Sequence, residues 1–156
     1  MFDNTPIQSY EELHQALDAL LEENLNVTAN LANASALLDH FLENINWVGF
    51  YLFDEDKEQL ILGPFQGKPA CTTIEVGKGV CGTAYRGNDI FIVDDVNEFP
   101  GHIACDANSK SEIVLPIYKD GKGIGVLDID SPIYERFEEK DRVGLIEVVE
   151  IIKKYI

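Results

Sequence analysis

The chain has 156 residues, 46% apolar and 26% charged, a length and balance that suit a self-folding globular protein and exclude a disordered or fibrous one. Its 28 acidic against 12 basic residues leave a formal net charge of -16, which repels nucleic-acid phosphates and anionic lipid surfaces and suits a cationic or zwitterionic ligand better than an anion. No apolar run reaches the roughly 18 residues that a bilayer crossing needs, residues 1–6 lack a basic-then-apolar secretory pattern, and three cysteines fit a reducing, cytoplasmic setting better than a secreted disulfide framework.

Ser9-Tyr10-Glu11-Glu12 reads as a capping box opening a helix that carries Leu13, Leu17, Leu20 and Leu21. A second helix is predicted over residues 28–44, with Leu31, Ala34, Leu38, Phe41 and Leu42 on one face. From Trp47 the pattern becomes aromatic and apolar: residues 47–53, a charged turn at 54–57 and residues 60–63 predict a β-hairpin. Further strands are predicted at 72–76, 90–93, 112–118 and 124–129, the last two joined by the tight turn Asp120-Gly121. A glycine turn at residues 77–79 runs into a short helix, residues 94–111 form a long irregular loop, and a closing helix spans 138–154 with Val143, Ile146, Val149 and Ile152 among its apolar residues. The order predicts an α+β fold with a mainly antiparallel sheet, two N-terminal helices within residues 1–45, and the sheet, loops and last helix within 46–156, all as one domain over 1–156.

The chemistry concentrates in a few places. Cys71 precedes a strand, Cys81 opens the short helix and Cys105 lies in the long loop, so none occupies an obvious core run; each is either a buried small residue or a reactive thiol. His102 is near enough in sequence to favour a Cys105 thiolate, Asp106 opposes it, and His102 could equally be a loop residue bonded to backbone. A zinc site is disfavoured, because the cysteines are spaced by ten and twenty-four residues with no Cys-x-x-Cys knuckle. Asp128 and Asp130 share a face at the end of an apolar strand, and Glu112 could join them across the hairpin. Unless that face is solvated, such a cluster calls for a cation, a shared proton or a hydrogen-bond donor. Trp47 and Tyr51, four apart on one strand, either wall a ligand or pack in the core.

The motifs Trp47-Val-Gly-Phe-Tyr51, Leu62-Gly-Pro-Phe-Gln-Gly67, Gly79-Val-Cys-Gly-Thr83, Gly101-His-Ile-Ala-Cys-Asp106, Ser111-Glu-Ile-Val-Leu-Pro116 and Gly125-Val-Leu-Asp-Ile-Asp-Ser131 together resemble the free methionine-(R)-sulfoxide reductases of the GAF-domain superfamily. The likeness runs in order from about Trp47 to Phe137, with all three cysteines in register. It implies a GAF/PAS-like antiparallel sheet flanked by helices, usually in a homodimer, with Cys105 as nucleophile, Cys71 as resolving cysteine and Cys81 as a third thiol able to enter the relay. It also implies that Trp47 and Tyr51 line the methyl end of free methionine sulfoxide, that Glu112, Asp128 and Asp130 make its polar contacts, and that turnover needs no metal or organic cofactor. An external dithiol such as thioredoxin would reopen the disulfide. A ligand-sensing GAF regulator and a thiol redox sensor remain as rival readings.

Overall fold

The computed structural model describes residues 2–3, 5–23, 26–102 and 105–156; Ile103 and Ala104 of the fourth motif lie outside them. The sequence reading of an α+β fold with an antiparallel sheet holds. The elements run α1 (Tyr10–Leu20), α2 (Val27–Phe41), β1 (Trp47–Asp54), β2 (Gln59–Gly67), β3 (Thr73–Glu75), α3 (Gly79–Gly87), β4 (Phe91–Val93), a 3-10 turn (Val96–Glu98), β5 (Ser111–Lys119), β6 (Lys122–Ser131) and α4 (Glu139–Lys153). Six antiparallel strands form one sheet in the order β3-β2-β1-β6-β5-β4, so the two hairpins meet at its centre through β1 and β6.

Each strand alternates between two faces, and the faces differ in kind. Val48 and Phe50 of β1, Ile113, Leu115 and Ile117 of β5, and Leu127 and Ile129 of β6 bury themselves against Leu13 and Leu17 of α1, Leu31, Ala34 and Leu38 of α2, and Leu145, Val148 and Ile152 of α4. The opposite face carries Trp47, Tyr51, Val114 and Val126 and packs under Val80, Cys81 and Ala84 of α3. The amphipathic helices therefore take one face, and the other is left for a smaller core and a cleft.

Several boundaries differ from the sequence reading for physical reasons. Ser9 caps α1 by accepting from the Glu12 N–H at 3.1 Å, but the Glu12 carboxylate accepts from the Gln8 N–H at 2.9 Å, so the box closes one residue early. Helix α2 stops at Phe41 because Leu42 turns extended and Asn44 takes a left-handed φ of 57°. In α4 the buried face is Leu145, Val148, Val149 and Ile152, while Val143 points to solvent with 58% exposure. The long loop contains the 3-10 turn, capped by the Asp95 side chain on the Asn97 N–H at 3.0 Å.

Two bulges set the registers. On β2 the extra residue falls between Phe65 and Leu62, where Gly63-Pro64 sit beyond the reach of β3, so proline breaks no required ladder bond and the strand continues to Gly67. On the β5–β6 hairpin, Asp120 and Gly121 both have positive φ (53° and 76°), as a two-residue primed turn requires. Lys119 then pairs with Lys122 and Tyr118 with Gly123, but Ile117 pairs with Gly125, so Ile124 is the extra residue. That one-residue shift brings Glu112 opposite Asp130 instead of Ile129, and so onto the cleft face.

Gly49 lies on the same face, between Asp128 on β6 and Phe65 on β2. A Cβ there would meet the Phe65 Cβ at 2.3 Å and its Cα at 2.8 Å, and the space it leaves lets the Phe65 ring stack on Trp47 at 5.2 Å. Gly49→Ala is expected to lower unfolding free energy by about 1–3 kcal/mol through this overpacking, measured by urea denaturation of parent and variant; an unchanged midpoint would refute the steric account.

Candidate active site

The register lines up Trp47, Asp130 and Glu112 across β1, β6 and β5, with Asp128 one step along β6 and Tyr51 one further step along β1. These side chains floor a cleft whose walls include Lys68, Ala70, Lys78, Cys81, His102 and Cys105. All eight site residues read from the sequence border it except Cys71, which sits at its edge bonded to Cys105. The Cys71–Cys105 disulfide closes a sequence separation of 34 residues with the Cα atoms 5.6 Å apart. Both cysteines are half-buried, whereas Cys81 is buried and carries a free thiol.

Trp47 and Tyr51 do more than form a wall. Their rings stack with centroids 5.8 Å apart, the Trp47 indole N–H donates to the Lys68 carbonyl at 3.2 Å, and the Tyr51 hydroxyl donates to the Cys71 carbonyl at 2.9 Å. The two aromatic residues thus hold the segment that delivers Cys71, a task spacing alone does not disclose.

The carboxylates are not a solvated strand end. Glu112 and Asp128 are each only 5% exposed and Asp130 is half-buried. Burial, reinforced by the Asp128 and Asp130 charges, pushes the Glu112 carboxyl well above the usual carboxylate range. Burial also raises Asp128, but hydrogen bonds from Glu112 and from the Cys81 thiol pull it back. Asp130 is likewise pushed well above the usual range by burial and the Asp128 charge, against a hydrogen bond from Glu112 that lowers it; at Glu112 every influence favours the proton, so its single O–H is the donor within the cluster. Burial and the Asp128 charge raise the Cys81 thiol, which stays protonated as a donor to Asp128. Among the described residues, two side-chain oxygens, Asp128 Oδ1 and Asn46 Oδ1, are buried with no hydrogen-bond partner.

His102 bonds to backbone and faces the carboxylates. Its backbone N–H donates to the Phe99 carbonyl at 3.2 Å, and its Nε2 stands 4.0 Å from Glu112 Oε1. Burial lowers its pKa despite the Asp128 charge, which favours neutral imidazole. In this oxidised state the three cysteines form no common metal donor set; Cys81, Glu112 and Asp128 do bring donor atoms within 4.8 Å of one another, deep in the cleft. The sequence reading missed Asn46, whose side-chain amide donates to Asp106 Oδ2 and Ser109 Oγ, each at 3.1 Å.

Because Glu112 holds its proton in the folded chain far longer than in the unfolded one, its contribution to stability is complete below the ordinary carboxylate pKa and is lost as pH rises through the raised value. Glu112→Gln keeps a neutral hydrogen-bonding side chain but cannot ionise. The unfolding free energy of this variant relative to the parent is therefore expected to move in its favour with rising pH, read by denaturant titration at several pH values. A pH-independent difference would sink the assignment of the proton to Glu112.

The GAF domain family matches residues 33–153. The free methionine-R-sulfoxide reductase of Escherichia coli is 50% identical over 147 residues, covering 94% of this chain and 88% of that protein. The chain belongs to the GAF-domain family of free methionine-R-sulfoxide reductases. The Saccharomyces cerevisiae member is 48% identical over 150 residues, covering 92% of this chain and 83% of its own. The crystal structure of the Neisseria meningitidis reductase in complex with its substrate superposes with a TM-score of 0.93 at 40% identity, covering 99% of this chain and 95% of that one. Family membership and fold thus agree with the resemblance carried by the six motifs.

Proposed function

We propose that the protein reduces free L-methionine (R)-sulfoxide to L-methionine with its own thiols. The observation that carries this reading is the Cys71–Cys105 disulfide at the edge of a cleft floored by buried carboxylates and walled by Trp47 and Tyr51. That arrangement combines a two-electron thiol couple with a site for one cationic, partly apolar ligand.

The steps follow from the groups present. The substrate ammonium binds the carboxylate cluster, where the unpartnered Asp128 Oδ1 accepts from it, while Trp47 and Tyr51 flank the methyl end. The Cys105 thiolate attacks the sulfoxide sulfur, and the protonated Glu112 supplies the proton that the oxygen takes up. Methionine departs reduced, and the oxygen stays on Cys105 as a sulfenic acid. Cys71 condenses with that group, releasing water and forming the disulfide. An external dithiol, thioredoxin or its like, reopens it by exchange and is itself oxidised. Thiol chemistry of this kind needs no metal or organic cofactor. The cycle suits a reducing compartment such as the cytoplasm, and a homodimer is the assembly proposed for it. Cys81, kept protonated, serves first as a donor that steadies Asp128, with entry into the relay open to it only if its burial is relieved.

The deciding experiment measures methionine released from the separated R and S epimers of free methionine sulfoxide with dithiothreitol as reductant. Turnover confined to the R epimer supports the reading. No turnover of either epimer by the folded, reduced chain would instead favour a ligand-sensing role.

A further inference from the structure

We infer that Asn46 is a positioning residue for Cys105: its side-chain amide ties the loop bearing that thiol to the carboxylate row of the sheet. Asn46 immediately precedes Trp47, and its backbone N–H donates to the Asp130 carbonyl at 2.9 Å, so its place relative to the row is set by the ladder itself. From there Nδ2 donates to Asp106 Oδ2 and to Ser109 Oγ. Asp106 is the residue after Cys105. Its other oxygen accepts from the Asn108 N–H at 2.8 Å, and its carbonyl accepts from the Ser109 N–H at 3.2 Å, closing a compact turn that Asn46 grips from both ends. The next fastening is at Lys110, whose N–H donates to the Ser131 carbonyl at 2.8 Å. Among the described residues, the first hold on the chain after Cys105 is therefore the Asn46 amide.

Two consequences matter for the thiol. A disulfide forms only when the Cα atoms approach within about 7 Å, and Cys105 must reach Cys71 across a separation of 34 residues; a loop released from β1 samples that approach less often. The amide also satisfies a carboxylate that would otherwise disfavour a thiolate beside it in the chain. Asp106 already acts on the floor of the cleft, adding to the upward shift of Asp130.

The donors of Asn46 permit a reciprocal swap, while a carboxylate at residue 46 also carries the cost of a buried oxygen without a partner in both variants that contain it. Asn46→Asp sets a carboxylate against Asp106 with no proton between them. In Asn46→Asp combined with Asp106→Asn, the new amide donates back to residue 46 and its oxygen still accepts from the Asn108 N–H, while the Ser109 hydroxyl turns to donate. The test compares the parent, both single variants and the double variant in two assays: the equilibrium constant of the Cys71–Cys105 disulfide against dithiothreitol, and kcat and KM for free methionine (R)-sulfoxide. Loss of one charge-assisted tether is expected to lower the disulfide equilibrium constant and kcat of Asn46→Asp by about tenfold or more, with KM within about threefold. The double variant should recover most of both losses relative to Asn46→Asp, in line with a direct coupling between the two sites.

An Asn46→Asp chain with the parental disulfide equilibrium, or a double variant no better than Asn46→Asp, would overturn the proposal, as would a fall in melting temperature alone. If Asn46→Asp does not fold, Asn46→Ser, which keeps a shorter donor, should show the same two losses in smaller measure, and parental values there overturn it. The kcat arm rests on the proposed reductase activity, but the disulfide arm does not. A chain that reduces no sulfoxide yet shows the tether-dependent equilibrium would refute the activity and leave the positioning role standing.

Discussion

Cys105→Ser is expected to reduce methionine formation by at least about a thousandfold, since a serine hydroxyl at neutral pH neither attacks sulfur as a thiolate does nor stores the oxygen as a sulfenic acid. Cys71→Ser should behave differently: one methionine per chain appears in a rapid first turnover, and steady turnover with thioredoxin then stalls, because the Cys105 sulfenic acid has lost the thiol that now lies 5.6 Å away, Cα to Cα. Cys81→Ser retains a hydroxyl donor for Asp128 and should stay within a few-fold of the parent, the result expected if Cys81 steadies the carboxylates rather than relays electrons. The three outcomes separate the roles in one rapid-quench series with methionine as the readout. A Cys105→Ser chain that still yields one equivalent would move the nucleophile elsewhere, and a Cys81→Ser chain that stalls like Cys71→Ser would make Cys81 a working member of the relay.

Much of this site is legible in the sequence because the cleft face of a strand obeys a period of two. Trp47 and Tyr51 on β1, and Asp128 and Asp130 on β6, must share a face wherever those segments are extended, and they do. The Asp120-Gly121 pair announces the hairpin between β5 and β6. What it cannot announce is the bulge at Ile124. A regular two-residue hairpin would set Glu112 opposite Ile129, on the helix-covered face, and only the extra residue moves it beside Asp130. Pro64 conceals the length of β2 in the same way, since a proline argues against a strand until the bulge and the absence of β3 beside it are seen. Asn46 escapes notice because its importance lies in what it reaches, Asp106 and Ser109, sixty and more residues along the chain. The disulfide partners show the limit most plainly. Position in the chain favours a reactive role for Cys105 over Cys81 but names no partner for it, and the resemblance assigns that part to Cys71.

N-Acetylation of the substrate is expected to lower kcat/KM by roughly a hundredfold to a few thousandfold, the scale set by the roughly 3–5 kcal/mol lost when one partner of a buried charge pair is removed. The floor of the cleft explains why. Glu112, Asp128 and Asp130 lie together in the cleft with the Cys81 thiol beside them, and one Asp128 oxygen is buried without a hydrogen-bond partner. A free amino acid brings a cation with three N–H donors to that cluster, whereas an acylated one brings a neutral amide with a single N–H and added bulk. Removing the carboxylate should cost much the same as removing the ammonium. Asp128→Asn is therefore expected to depress turnover of the free amino acid sharply while changing that of the N-acetyl compound only a few-fold, so the two losses should not add. Equal turnover of free and acetylated sulfoxide by the parent chain would remove the ammonium from the carboxylate cluster. Additive losses would mean that Asp128 acts on the reaction through something other than that charge.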